Sequence, residues 1–162
     1  MSDKSSKKKK PSTSISFRNI VRSQDIKDVK AALQNWVNVV KMGDTDDIVS
    51  LYTDNATFWG TVASNLSTDK KGIKSYFVSF LQKENLDVKV TDGHVHLSKD
   101  TDEAIYAGNY TFTYTENGVE KMIPARFTFV FKKQDDGEWL IKHHHSSAMP
   151  QWQNLKINKK IM

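Results

Sequence analysis

Residues 121–147 read KMIPARFTFVFKKQDDGEWLIKHHHSS, in which two alternating segments flank a polar turn. In an extended chain every second side chain lies on the same face, so alternation of apolar and polar residues indicates a half-buried strand. Lys121 to Lys133 and Glu138 to Ser147 are therefore predicted strands, and residues 134–137, QDDG, are the predicted turn. The short turn makes this pair antiparallel.

Two further alternating segments precede the pair, over Val88 to Leu97 and over Glu103 to Thr115. Turn-forming residues separate the segments at 98–100, SKD, and at 116–118, ENG. The C-terminal half of the chain is thus predicted to be four consecutive antiparallel strands.

The N-terminal half has a helical periodicity instead. A first helix, with Ser23 as N-cap and Gly43 at its end, is predicted because apolar residues recur there every three or four positions. These residues are Ile26, Val29, Leu33, Trp36, Val37 and Val40. A short second helix over Asp44 to Tyr52, a first strand over Ala56 to Val62 and a third helix starting near Thr68 are also predicted.

Helices followed by strands predict an α+β fold, in which the helices cover one face of a curved, mostly antiparallel sheet. A long helix in the concave face leaves a blind cavity at the open end of such a cone. That cavity is the expected place for a ligand.

The chain has 162 residues, 38% of them hydrophobic, which is enough for one domain with a sizeable core. Met1 to Lys10 holds five Lys and one Asp, and so contributes +4 of the formal net charge of +5. We predict a flexible basic arm over residues 1–20, one domain over 21–152 and a basic C-terminal tail over 153–162. The arm is interpreted as a solvated tail, and nucleic-acid binding, membrane-surface binding or nuclear targeting is the alternative.

Composition excludes several functions. The chain has no cysteine, which removes disulfides, thiolate metal sites and cysteine nucleophiles. No stretch of about 18 apolar residues is present, and the body beyond the arm is close to neutral. We expect a soluble, cytoplasmic protein with no nucleic-acid or membrane partner. Motifs for nucleotide hydrolysis, dinucleotide binding and serine hydrolases are absent.

The last predicted strand carries a row of titratable and hydroxyl side chains. Trp139, Ile141, His143, His145 and Ser147 share one face in regular alternation, and the apolar start of the row predicts that this face points inward. His145 and Ser147 would then reach the cavity, where an imidazole can accept a proton near pH 7. The alternative is that these histidines are structural and hydrogen-bond to backbone carbonyls.

Two HxH pairs, His94 with His96 and His143 with His145, could bind one metal if their strands were neighbours. No HExxH motif or carboxylate at a suitable spacing accompanies them, so we predict no metal site. Arg126 lies on the opposite strand face from Phe127, where it is predicted to pair with a carboxylate, with anion binding as the alternative.

Five segments together resemble the iota-class carbonic anhydrases, a class similar to the association domain of calcium/calmodulin-dependent protein kinase II. They are residues 58–61 (FWGT), 73–81 (IKSYFVSFL), 107–114 (AGNYTFTY), 124–131 (PARFTFVF) and 137–150 (GEWLIKHHHSSAMP). The resemblance spans about Val29 to Pro150.

This resemblance implies an NTF2-like (cystatin-like) cone that forms a homodimer through its sheet. Its implied activity is the reversible hydration of carbon dioxide to bicarbonate, in several members without metal or other cofactor. By motif, Thr61, Tyr76 and Ser147 hold substrate oxygens while His145 orients water and accepts its proton. Ser146 is a register alternative for Ser147, and Arg126 is a further candidate for binding the substrate.

Two other functions stay open. The first is a non-catalytic association module of the kinase II type, which oligomerises and keeps the cavity for a small ligand. The second is a cavity enzyme such as an isomerase or polyketide cyclase, which would need a carboxylate base deep in the cone. Asp46 and Asp47 in the second predicted helix are the candidates for that base.

Overall fold

The computed structural model describes residues 17–99 and 101–150, which form one α+β unit. The helices are α1, Phe17–Met42, α2, Thr45–Ser50, and α3, Lys70–Phe80. The strands are β1, Tyr52–Trp59, β2, Glu84–Leu97, β3, Glu103–Glu116, β4, Val119–Lys133, and β5, Trp139–Ala148. None of the helices in this part of the chain is long and apolar enough to cross a bilayer.

The five strands make one sheet in the order β1-β5-β4-β3-β2. The four C-terminal strands are antiparallel neighbours, as the alternation predicted, and β1 adds to the edge in parallel with β5. β1 is the first strand in the sequence and β5 is the last, so their pairing joins the two strands that are furthest apart in the chain. This meeting places the end of β1 beside the histidines of β5.

The helices cover one face of the sheet, and the core lies between the two layers. From α1, Trp36 and its apolar neighbours at three- and four-residue steps are buried. They meet the inward aromatic residues of the sheet, which include Tyr110, Phe112, Phe127, Phe129 and Phe131. The apolar residues that recur every 3.6 positions in α1 and every two positions in the strands thus pack into one core.

Three predicted boundaries are wrong. Helix α1 begins at Phe17, so Ser23 lies inside the helix and is not its N-cap. The Arg22 guanidinium donates a hydrogen bond to the Ser98 carbonyl at 3.3 Å, which connects the first part of α1 to the end of β2. Four residues assigned to the arm therefore lie in the helix, whereas residues 1–16 and 151–162 lie outside the described part of the chain. Tyr52 begins β1 because it pairs with Ile141, and β1 ends before Gly60.

One extra residue in β5 changes which side chains face inward. Val130 pairs with His143 and the next residue, Phe131, pairs with Ile141, so Lys142 is left without a partner in β4. Such a bulge moves every later side chain to the other face of the sheet. The predicted inward row of His143, His145 and Ser147 is therefore wrong, and the residues that face the core are His144 and Ser146.

A second irregularity lies between β2 and β3, where the register shifts between Val90 and Asp92. Gly108 of β3 is opposite this shift, and a Cβ atom at Gly108 would overlap the Asp92 carbonyl oxygen and lie 2.6 Å from Gly93 Cα. The close approach of these two backbones requires glycine.

We predict that Gly108→Ala lowers the free energy of unfolding by about 1–3 kcal/mol, because backbone rather than a flexible side chain must move. Urea unfolding followed by tryptophan fluorescence measures this change. Ala107→Ser, on the exposed face of the same strand, is the matched control and should change stability by less than about 0.5 kcal/mol. Equal stability of both variants would show that the contact at Gly108 can relax.

Candidate functional site

His144 lies at the centre of a buried polar chain inside the cone. Its Nδ1 atom is 3.0 Å from Tyr52 Oη, and its Nε2 atom is 3.2 Å from Tyr110 Oη. Trp36 Nε1 donates to Tyr52 Oη at 3.1 Å. All four side chains are almost fully buried, so these hydrogen bonds satisfy groups that have no access to solvent.

Aromatic rings enclose the imidazole of His144. Phe129 stacks on it with ring centroids 3.8 Å apart, and Phe58 and Trp36 lie at centroid distances of 5.0 and 5.3 Å. Burial in these surroundings lowers the pKa of His144 well below its usual 6.5, and the neighbouring His143 and His145 lower it further. The imidazole is therefore neutral at pH 7.

Two hydroxyl groups lie next to this chain, toward the open end of the cone. Thr61 Oγ1 and Ser146 Oγ are 2.5 Å apart, which joins the turn after β1 to the inner face of β5. Burial raises the pKa of Tyr110, and hydrogen bonding by the nearby Ser146 and Thr61 hydroxyls offsets part of this rise. Thr61 and Ser146 thus lie close to the end of the polar chain at Tyr110.

Tyr76 of α3 brings a third hydroxyl to the same place. Its Oη atom is buried and makes no hydrogen bond of ordinary geometry within the described residues. Burial raises the pKa of Tyr76 to about 12, and the nearby Thr61 hydroxyl and the backbone amides of Thr61 and Val62 offset part of this effect. The ring fits because Gly60 has no Cβ atom, which would overlap it.

A cavity of about 10 Å³ lies among these groups, which is about the room that one water molecule needs. Its lining residues include Thr61, Tyr76, Tyr110 and His144, and the rest of its wall is aromatic. The unpaired Tyr76 hydroxyl and the Thr61 hydroxyl give a small ligand two places to hydrogen-bond. This combination makes the cavity the candidate functional site.

The structure brings only some of the predicted site residues together. Thr61 and Tyr76 line the same cavity, and Ser146, the register alternative to Ser147, is hydrogen-bonded to Thr61. His145 and Ser147 lie on the outer face of the sheet, where His145 is exposed and stacks on Trp59 at a centroid distance of 6.2 Å. The bulge at Lys142 is the physical reason for this position, since it moves both side chains to the outer face of the sheet.

Arg126 also lies on the outer face, and the sheet separates it from the cavity. It is exposed and pairs in register with Ser147 across β4 and β5. A groove of about 360 Å³ there is lined by Arg126, Phe127, Thr128, His145 and Ser147. No ion pair is formed by Arg126 within residues 17–99 and 101–150, so its predicted pairing with a carboxylate is not found.

The two HxH pairs do not meet, because β3 and β4 lie between β2 and β5. His143 instead makes a hydrogen bond between its Nδ1 atom and Thr57 Oγ1 at 2.7 Å. In the described part of the chain, no three His, Asp or Glu side chains lie close enough to share a metal ion. The proposed carboxylate base is not at the cavity either, since Asp46 is exposed and pairs with Lys74.

Three residues of the site were missed by the sequence reasoning. His144 was placed on the wrong face, and Tyr52 was assigned to a helix. Tyr110 has no predicted role beyond its place in segment 107–114 (AGNYTFTY). One chemical signal in the sequence points to them. Tyr110 and Trp36 each carry a polar atom into the core, and such an atom needs a buried hydrogen-bond partner.

Comparison with known proteins agrees with this fold. The model of the SnoaL-like domain family matches residues 29–151. The chain belongs to this family. No curated protein matches the sequence.

Solved structures place this SnoaL-like domain among NTF2-like folds. A Xanthomonas campestris protein, provisionally assigned as a calcium/calmodulin dependent protein kinase II association domain, is 37% identical with a TM-score of 0.71, over 76% of this chain and 86% of that one. A provisional dehydratase of the NTF2-like family from Streptomyces avermitilis is 17% identical with a TM-score of 0.70, over 80% and 99%. An NTF2-like protein with a cystatin-like fold from Novosphingobium aromaticivorans is 10% identical with a TM-score of 0.69, over 84% and 92%. The predicted NTF2-like, cystatin-like fold is confirmed.

We predict that the lowered pKa of His144 makes stability depend on pH. The unfolded chain binds a proton at this histidine near pH 6.5 and the folded chain does not, so unfolding becomes easier as pH falls below 6.5. The free energy of unfolding should lose up to about 1.4 kcal/mol per pH unit through His144. Urea unfolding at pH 7.5, 6.5 and 5.5 measures this slope.

His144→Gln is the informative variant. His143, whose pKa is also lowered by burial, keeps its own contribution in both proteins. The difference in slope between the two proteins therefore reports His144 alone. Identical slopes would mean that His144 is protonated to the same extent in the folded and unfolded chains.

Proposed function

We propose that this SnoaL-like domain catalyses the reversible hydration of carbon dioxide to bicarbonate, without a metal, in the cavity lined by Thr61, Tyr76 and His144. The observation that carries the proposal is a cavity of about 10 Å³ that is lined by Thr61, Tyr76 and the neutral, buried His144, with the Ser146 hydroxyl hydrogen-bonded to that of Thr61. The resemblance of the FWGT, SYF and HHHSS segments to iota-class carbonic anhydrases supports the same substrate.

The size of the cavity favours a very small substrate. A space for one water molecule is too small for the ring systems that isomerases and cyclases transform. Carbon dioxide and the attacking water together need more than this space, so the mechanism requires the wall of the cavity to move when they bind. Among the residues that the structure describes, no carboxylate lines this cavity, which further disfavours an isomerase that uses a carboxylate base.

The chemistry requires one new bond and one proton transfer. Water oxygen bonds to the carbon of carbon dioxide, and one C=O bond becomes C–O–H. The Thr61 and Ser146 hydroxyls can accept the proton from water at one atom and give a proton to the substrate oxygen from another, since each hydroxyl both donates and accepts. The product, carbonic acid, ionises to bicarbonate as it leaves.

In this mechanism the protein contributes positioning and prepared hydrogen-bond donors. Tyr76 Oη has no partner within the described residues and is free to donate to a substrate oxygen. His144 is neutral and both its nitrogens are hydrogen-bonded, so it supports the hydroxyls and does not take up the proton. A modest turnover is expected, because no metal lowers the pKa of the attacking water.

We predict that the purified protein hydrates carbon dioxide after exhaustive chelation. Thr61→Val and Ser146→Ala should each lower kcat/KM by about 10²-fold, as expected when a donor to developing negative charge is removed. Tyr76→Phe should lower it less. Stopped-flow measurement of proton release with a pH indicator gives these rates.

His145→Asn and Ser147→Ala are matched controls, because each is the sequence neighbour of a site residue but lies on the outer face of the sheet. Both should keep the activity of the unaltered protein. Loss of activity in these controls, with retention in Ser146→Ala, would reverse the assignment of faces. Activity that appears only after zinc or manganese is added would contradict the metal-free mechanism.

The alternative function is a non-catalytic association module. It is favoured by the 37% identity to the Xanthomonas campestris association domain. Both proposals include a homodimer through the outer face of the sheet, where Ile105 and Met122 are 45% and 62% exposed. The cytoplasmic location and the absence of nucleic-acid and membrane partners stay predictions.

Sedimentation velocity at micromolar concentration should therefore show a species larger than the 18.5 kDa chain. Ile105→Glu should shift that species toward the monomer, because it buries a charge in the proposed interface. A monomer at all concentrations removes the dimer. Discrete oligomers without any hydration activity would favour the association module over the enzyme.

A further inference from the structure

We infer that Tyr52 is a positioning residue that holds His144 in the tautomer with its proton on Nε2, so that the buried imidazole donates a hydrogen bond toward the cavity. The inference deepens the proposed function, on which its catalytic consequence rests. Among the hydrogen-bonded side chains around His144, Trp36 can act only as a donor.

Trp36 decides the direction of the hydrogen bonds. Its indole Nε1 can only donate, and it lies 3.1 Å from Tyr52 Oη. Tyr52 Oη therefore accepts from Trp36, and its own proton must find another acceptor. The remaining partner of this hydroxyl is His144 Nδ1, at 3.0 Å.

A neutral imidazole carries one proton. If Tyr52 donates to Nδ1, the proton of His144 is on Nε2, and Nε2 donates to Tyr110 Oη at 3.2 Å. In the opposite tautomer, Trp36 and His144 would both donate to Tyr52 Oη, and the buried Tyr52 proton would have no acceptor. A buried donor without a partner disfavours that tautomer by about 5- to 150-fold.

The hydrogen bonds next to the cavity have a direction that follows from this tautomer. Tyr110 Oη accepts a hydrogen bond from Nε2–H, so its own proton is free to be donated toward the nearby Ser146 and Thr61 hydroxyls. These hydroxyls in turn have a proton left for a ligand, as does the unpaired Tyr76 hydroxyl. The wall of the cavity presents donors, which suits a ligand rich in acceptor oxygens such as carbon dioxide or bicarbonate.

The tautomer can be observed directly, and without any measurement of activity. Long-range ¹H–¹⁵N spectra of ¹⁵N-labelled protein at pH 8 distinguish a protonated from an unprotonated ring nitrogen at each of the five histidines. The signals of His144 are identified by their loss in His144→Gln. We expect Nε2 to be protonated and Nδ1 to be unprotonated. A protonated Nδ1 in the unaltered protein would overturn the inference.

Tyr52→Phe tests the positioning role. Without the donor at Nδ1 the preference for one tautomer should fall, so the population of the Nδ1–H form should rise at least about 5-fold. Tyr106→Phe, which removes the hydroxyl of another core tyrosine of β3 outside the chain of hydrogen bonds, is the matched control and should leave the tautomer unchanged. An unchanged tautomer in Tyr52→Phe would show that Tyr52 does not set it.

The activity of the same preparations separates this inference from the proposed function. In an active enzyme, Tyr52→Phe should lower kcat for carbon dioxide hydration by about 5-fold or more, and Tyr106→Phe should not. If the protein shows the expected tautomer but no hydration in any variant, the proposed function fails and the tautomer inference stands. If Tyr52→Phe does not fold, the spectrum of the unaltered protein still decides the tautomer.

Discussion

The interior of this domain depends on a histidine that is buried without a charge. His144 lies among aromatic rings, and its two nitrogens have hydrogen-bond partners in Tyr52 and Tyr110. An imidazole in such surroundings is tolerated only when both nitrogens are satisfied, because an unpaired polar atom in an apolar core costs as much as a lost hydrogen bond. This requirement ties α1, β1, β3 and β5 to one another through polar atoms as well as through apolar contacts.

The position of that histidine follows from one extra residue. Lys142 has no partner in β4, and the strand therefore changes which face it presents after Ile141. The three consecutive histidines would otherwise offer two imidazoles to the cone, and the bulge reduces these to His144 alone. β-Bulges of this kind commonly re-aim side chains next to functional sites.

The fold by itself is compatible with several functions. NTF2-like folds include a provisional dehydratase and a provisional kinase association domain, so the shape of the cone does not choose between an enzyme and an assembly module. The contents of the cone are more informative. A cavity the size of one water molecule, lined by hydroxyls and a neutral imidazole, excludes in this conformation the large substrates that a wide cone would accept.

The sequence alone determined the α+β class and the four antiparallel strands, because periods of 3.6 and 2 residues report directly which faces are buried. The family resemblance named Thr61, Tyr76, His145 and Ser147 as site candidates, with Ser146 as the register alternative to Ser147. Tertiary structure decided the rest. A single unpaired residue in β5 changes which side chains face the core, and the alternating sequence pattern does not show where this happens. The hydrogen-bond partners of His144 come from β1 and β3, which are distant from β5 in the sequence. Such long-range pairing is set by the packing of the whole sheet, and no local pattern records it.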